Sequence, residues 1–328
     1  MTLVHDILKQ MPGRSQPQRQ FLATLFVTIL VLRGRVTFRN LRRYCNYSER
    51  TIARPFREPF AWPAFHPRVL LMALDPHAAL VSAHDASCMP KRGKQPFGLG
   101  HFFNGCASRA ARGLEMSTLA VVAVTRRCAV TLAVSQTPPG EEATQAEPED
   151  TRVDCYKRQL RAHRHRLPAS IRYHCVDGYY AKKQYRDAVV SLPLHAITTL
   201  RSDADCVLLY PGPHPKRRGA RRTYAGKVHC QDLSRFEALG PRAEEPHLHL
   251  YTAVVWHKPL QRRWRLVVLL NRKAPAKPRF LMLGSTDPAL HGYKLRDLYA
   301  ARFQIALLFR DSKQCTGLLD GQARAASA

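Results

Sequence analysis

Asp85, in the run ALVSAHDAS, and Asp177, in IRYHCVDGYY, each fall at the C-terminal end of a predicted strand. Strand ends of open sheets are where sites are assembled, and two acids there can share divalent metals. Magnesium is a hard cation that takes oxygen ligands, so carboxylates rather than Cys or His are the expected donors. Taken singly, each aspartate reads first as a loop or capping residue, because Asp favours strand ends and turns. Taken together, with the strand order and the charge of the chain, they point to a metal site.

The second chemical signal is an excess of base. The 328 residues carry 52 Lys+Arg against 24 Asp+Glu, a formal charge of +28. Such an excess concerns partners rather than fold, and the partners are polyanions, nucleic acid first. Six bases and no acid lie in 211–231, among them Arg217, Arg218, Arg221 and Arg222, and eight bases and no acid in 256–286. A solvated surface mixes signs, so these segments are candidate DNA-backbone contacts. Lys91, Arg92 and Lys94, just past Asp85, are candidate phosphate contacts beside the acids.

Hydrophobic residues at 45% and charged residues at 23% are ordinary for globular chains and exclude wholesale disorder or a collagen-like repeat. Nine cysteines without a CxxC pair suggest neither a disulfide framework nor a zinc finger. The N-terminus has no signal-peptide pattern, and the longest apolar run, 21–32, is too short to span a bilayer. A cytoplasmic, nucleoid-associated protein with no membrane and no small-molecule substrate is expected.

The elements that must hold these residues change character along the chain. Residues 1–75 read as a helical DNA-binding region, with twelve bases against three acids over 1–74. Within it, 36–57 fits a helix-turn-helix in which Ser48 caps the second helix. An ordinary solvated helical pair fits as well, since Pro55 shortens the second helix. From residue 76 the period becomes that of strands: 79–87, 114–124 and 128–136, then an acidic loop at 137–150 and a helix at 152–166. The strand ending at Asp177, a helix at 181–192 and a strand at 194–202 complete an α/β pattern with a mixed sheet over 76–205. Residues 206–286 read as a β-rich basic insertion of hairpins. Residues 287–328 hold a final helix, Tyr293 to about Lys313, and a low-complexity tail.

Three segments in order resemble one family. DASCMPKRGKQPFGLGHFFNGCASRAARGLE (85–115), VDGYYAKKQY (176–185) and YAARFQIALLFRDSKQCTGL (299–318) are similar to the first-aspartate, second-aspartate and signature-helix segments of insertion-sequence DDE transposases. The branch resembled is the one marked Tyr-x2-Arg-x3-Glu-x6-Lys. The resemblance implies a ribonuclease-H-like catalytic core and metal-dependent cleavage and transfer of DNA strands. It implies Mg2+ or Mn2+ as cofactor, double-stranded DNA (element ends and target) as partner, and a homodimer assembled on DNA. It makes Asp85 and Asp177 metal ligands, and Tyr299, Arg302 and Lys313 DNA-contacting residues.

The chain departs from the pattern where the signature carries its Glu: position 306 is Ala306. On one continuous helix, at about 100° per residue, positions 299, 302, 306 and 313 would share a face, while Asp311 would stand about 140° from 306. Asp311 therefore does not replace the missing acid. Glu115, the other carboxylate of the first segment, begins a different strand. With only a short tail after Lys313, these departures suggest a degenerate or truncated element, and the alternative is a catalytically inactive DNA-binding derivative that recognises element ends.

Overall fold

The computed structural model describes residues 2–11, 13–57, 60–75, 77–93, 96–105, 107–139, 151–213, 220–273 and 279–320. The chain begins with helices α1 (Thr2–Lys9), α2 (Gln16–Val31), α3 (Phe38–Leu41), α4 (Glu49–Ala53) and α5 (Trp62–Ala73). Strands β1 (Leu80–Pro90), β2 (Gly100–Asn104), β3 (Arg109–Ala123) and β4 (Cys128–Thr137) follow, then α6 (Arg152–His163), β5 (Tyr173–Cys175), α7 (Lys183–Ser191) and β6 (His195–Leu200). Next come β7 (Cys206–Leu209), β8 (Tyr224–Lys227), β9 (Glu237–Arg242), β10 (Glu245–His257), β11 (Arg262–Asn271) and β12 (Arg279–Ser285), and finally α8 (Gly292–Ala301) and α9 (Phe303–Cys315). Helices and a mixed set of parallel and antiparallel strands make the expected α/β class. Among the described residues no helix is long and apolar enough to cross a membrane.

The chain divides into two compact units, and β1 is shared between them. The first comprises 1–79, 84–167 and 304–328. Its helical part forms because apolar residues recur at helical spacing: Leu22, Ala23 and Leu25 of α2 are buried, Leu22 and Ala23 against Leu8 and Met11, Leu25 against Leu41 and Ile52. The backbone N–H of Thr51 donates to Ser48 Oγ at 3.2 Å, the cap expected from the sequence. Helix α5 meets β4 through His66, whose Nδ1 lies 2.9 Å from the Leu132 carbonyl. Strand β3 pairs antiparallel with β2 and with β4. Strands β1 and β3 approach so closely that a Cβ on Gly113 would stand 2.3 Å from the Met89 carbonyl oxygen.

The second unit comprises 80–83 and 168–303. Its parallel part is short: Ser82 and Ala83 pair with His174 and Cys175, and Tyr173–Cys175 pair with His195–Ile197. The remainder is antiparallel, in the order β6-β12-β11-β10-β7-β8, with β9 on β10. The hairpins of the predicted insertion thus extend the same sheet as β6. Val255, Trp264, Leu266 and Val268 alternate inward and build its core with Met282.

Three expectations are corrected. Strand β1 does not end near Asp85 but runs to Pro90, because its backbone continues beside β3, with the Lys91 N–H donating to the Arg112 carbonyl, and this pairing outweighs the turn preference of Asp85. Strand β5 ends at Cys175, two residues before Asp177, where the aspartate side chain caps a 3-10 turn at Gly178–Tyr180. The final helix is two helices: at Arg302 the backbone N–H bonds to Tyr299 and Ala300 carbonyls, which tightens the turn and separates α8 from α9. A single 100°-per-residue projection therefore does not carry from Tyr299 and Arg302 to Ala306 and Lys313.

Candidate functional site

Asp85 is half-buried in the interior of β1, and its Oδ1 accepts the Ala86 N–H at 2.9 Å. Successive strand residues face opposite ways, so its neighbour His84 turns to the other side of the strand. There His84 is fully buried, with Nε2 2.7 Å from Ser117 Oγ and 2.9 Å from Gln159 Oε1. Gln159 Nε2 donates to the Ser117 and Ala133 carbonyls, so one side chain of α6 ties β1, β3 and β4 together. Burial pushes the His84 imidazole down to about 4, against the opposing bond from Gln159. The ring is neutral at pH 7, and the network holds no charge that needs a counter-ion.

The strand beyond Asp85 is pinned from α9. Lys313 Nζ donates to Ser87 Oγ at 2.7 Å and to the Cys88 carbonyl at 3.0 Å. The structure therefore brings Lys313 to the strand that carries Asp85. Lys91 Nζ donates to the Leu319 carbonyl at 2.6 Å, and Arg92 is exposed. Ala306 is exposed on α9. Glu115 has a different place: it is buried in β3, accepts the Tyr156 hydroxyl at 2.5 Å and faces Arg152 Nη1 at 3.8 Å. Held this way, it joins β3 to α6.

In the second unit, Asp177 Oδ1 accepts the Tyr179 N–H at 2.9 Å, and Thr198 Oγ1 donates to the Asp177 carbonyl at 2.7 Å. The Val176 N–H donates to the Ile197 carbonyl at 2.9 Å, continuing the attachment to β6. Behind this segment runs a buried polar chain: Ser82 Oγ lies 2.8 Å from His174 Nδ1, and His174 Nε2 lies 2.9 Å from the Tyr185 hydroxyl. Burial, then the negative charge of Asp177, push the Tyr185 phenol well above its ordinary value, so it remains protonated. Tyr299 and Arg302 keep company with each other, the guanidinium carbon 5.4 Å from the ring centre. Arg221 is exposed, while Arg222 donates to the Tyr224 carbonyl and covers the Tyr210 ring at 4.9 Å. Lys94, Arg217 and Arg218 lie outside the described residues.

Sequence reasoning did not find the His84–Ser117–Gln159 and Ser82–His174–Tyr185 networks. The available signal was a histidine in each of the two strand segments, close before each aspartate. Among the described residues, no group of three or more His, Cys, Asp or Glu is placed to hold a metal ion. The donors at the two aspartates are all oxygen, which suits a hard divalent cation that binds through one or two carboxylates and completes its shell with water.

Comparison with curated proteins returned no match. A family model described as "DDE superfamily endonuclease" matches residues 13–258, well over half of the chain. The matched span contains both aspartates and both buried networks, and stops before α8 and α9.

Proposed function

The chain belongs to the DDE superfamily endonucleases, and we propose that it derives from an insertion-sequence transposase of the Tyr-Arg-Glu-Lys branch in which Ala306 stands where the branch carries its third acid. Nuclease chemistry on DNA is what the family implies. The observation that carries the reading further is the parallel register of β1 and β5. The last paired residues are Ala83 and Cys175, and each aspartate follows its own strand's last pair by two residues. Asp85 and Asp177 would hold Mg2+ or Mn2+, which supplies activation of the attacking oxygen and stabilisation of the leaving oxygen at phosphorus.

The chain's own residues prepare this chemistry in three ways. His84 and Gln159 fix the strand under Asp85 without adding charge, and Lys313 fixes it from beyond. Tyr185, protonated, steadies His174 beneath the second segment. Lys91, Arg92, Lys94, Arg217, Arg218, Arg221, Arg222, Tyr299 and Arg302 are proposed to follow the DNA backbone, on a homodimer assembled on element ends in the nucleoid.

The exposed alanine at 306 favours a second reading, a DNA-binding derivative that no longer cleaves. A supercoiled-plasmid nicking assay in Mn2+ separates the two. The transposase reading expects slow nicking by the natural chain and a gain of at least tenfold with Ala306→Glu, whereas nicking undetectable in both chains is the outcome for the DNA-binding derivative. Fast nicking by the natural chain, lost in Asp85→Asn, would establish activity without the third acid and remove the inactive reading.

A further inference from the structure

The N-terminal helical region carries a surface that the cleavage site does not use. Phe38, at the start of α3, and Phe56, just past α4, lie with ring centres 5.1 Å apart and remain 36% and 45% exposed. Beside them a groove of about 690 Å³ is lined by Phe38, Glu49, Arg50, Ala53 and Arg54. Arg39, Arg42 and Arg43 are exposed on the same short helical pair. Among the described residues, none of these five arginines forms an ion pair.

We propose that this surface binds unpaired DNA nucleotides, stacking bases on Phe38 and Phe56 while Arg50 and Arg54 hold the adjoining phosphates. Charge decides against a second copy as occupant, since each copy carries the same formal +28. A polyanion is the complementary partner. The aromatic pair then decides between duplex and single strand. In a duplex the base faces are hidden in the stack, whereas an unpaired base offers its face to an aromatic ring, and arginines add backbone attraction. Helix α4 is five residues, about 7.5 Å long, and continues only as a 3-10 turn containing Pro55. That is short for a helix that must reach several base edges in a major groove. Strand cleavage or opening at a DNA end creates such unpaired nucleotides, so the inference deepens the DNA-processing reading and rests on it.

The test is fluorescence anisotropy of the full chain in EDTA, which stops metal-dependent cleavage, with labelled oligothymidylate and a labelled blunt duplex. The double variant Phe38→Ala, Phe56→Ala is expected to weaken oligothymidylate binding at least tenfold, about 1.4 kcal/mol, with duplex affinity unchanged. Phe38→Tyr with Phe56→Tyr keeps both rings and should bind as the natural chain does. Arg50→Ala with Arg54→Ala should weaken oligothymidylate binding and reduce its salt dependence. The inference is overturned if the alanine pair leaves oligothymidylate affinity unchanged, if both DNAs weaken equally, or if the tyrosine pair fails like the alanine pair. A chain that binds neither DNA would overturn the DNA-processing reading too, whereas selective retention of duplex binding alone would sink only this inference.

Discussion

Each aspartate follows closely on a buried strand histidine, yet the two histidines are held by different means. His84 is fixed by an amide: Gln159 reaches from α6 and serves His84, Ser117 and two strand carbonyls at once. His174 is fixed by two hydroxyls in a line, Ser82 on one side and Tyr185 on the other. The first arrangement is branched and the second linear. A branched hub concentrates the cost of its loss in one residue, whereas a linear chain distributes it. The two aspartates differ correspondingly, Asp85 sitting in strand backbone and Asp177 in a turn that it caps itself.

The comparison can be broken by replacing the hubs. Gln159→Leu keeps the volume but leaves two strand carbonyls without their donor in a buried place. A destabilisation of about 3 kcal/mol in urea unfolding is expected, since each buried polar group left unpaired costs ~1–3 kcal/mol. Tyr185→Phe removes a single hydroxyl and leaves His174 its bond to Ser82, so about 1 kcal/mol is expected. Equal losses from the two substitutions would show that the branched and linear networks are not different in kind.

A smaller effect sharpens the difference from the Asp85 side. Helix α6, which carries Gln159, begins in a reciprocal cap: Asp154 accepts the Thr151 N–H at 3.0 Å and pairs with Lys157. Hydrogen bonding to Lys157, then to Thr151, holds the Asp154 carboxyl down to about 2. Its folded-state value lies below that of the unfolded chain, so its contribution is present above about pH 4 and is lost as pH falls through about 2. Asp154→Ala should cost about 1 kcal/mol at pH 7, as lost helix caps do. The deficit should shrink across that acid range in urea titrations, and a deficit independent of pH would refute the cap.

What the sequence disclosed, and what it did not, follows from where the information lies. The α/β class was legible because Leu119–Ala123 and Leu266–Leu270 are apolar runs of strand character and α2 keeps a helical apolar row. Strand β2 was missed because its five residues, GHFFN, bury only Phe102, too little alternation to register. The break at Arg302 was missed because no Gly or Pro marks it; the local backbone hydrogen bonds do. The aspartates stood out by type and position, but the environments behind them depend on Ser117 and Gln159, 33 and 75 residues from His84, and on Tyr185, 11 residues from His174. Long-range hydrogen bonding of this kind leaves no local pattern.

The central proposal is that Asp85 and Asp177 each bind the divalent cation and that Ala306 stands where a third acid would be. Mn2+ titration of the full chain by calorimetry tests it most directly. The account predicts weak binding by the natural chain, loss of that binding in both Asp85→Asn and Asp177→Asn, and tighter binding in Ala306→Glu. Mn2+ binding that survives both asparagine substitutions unchanged would contradict it.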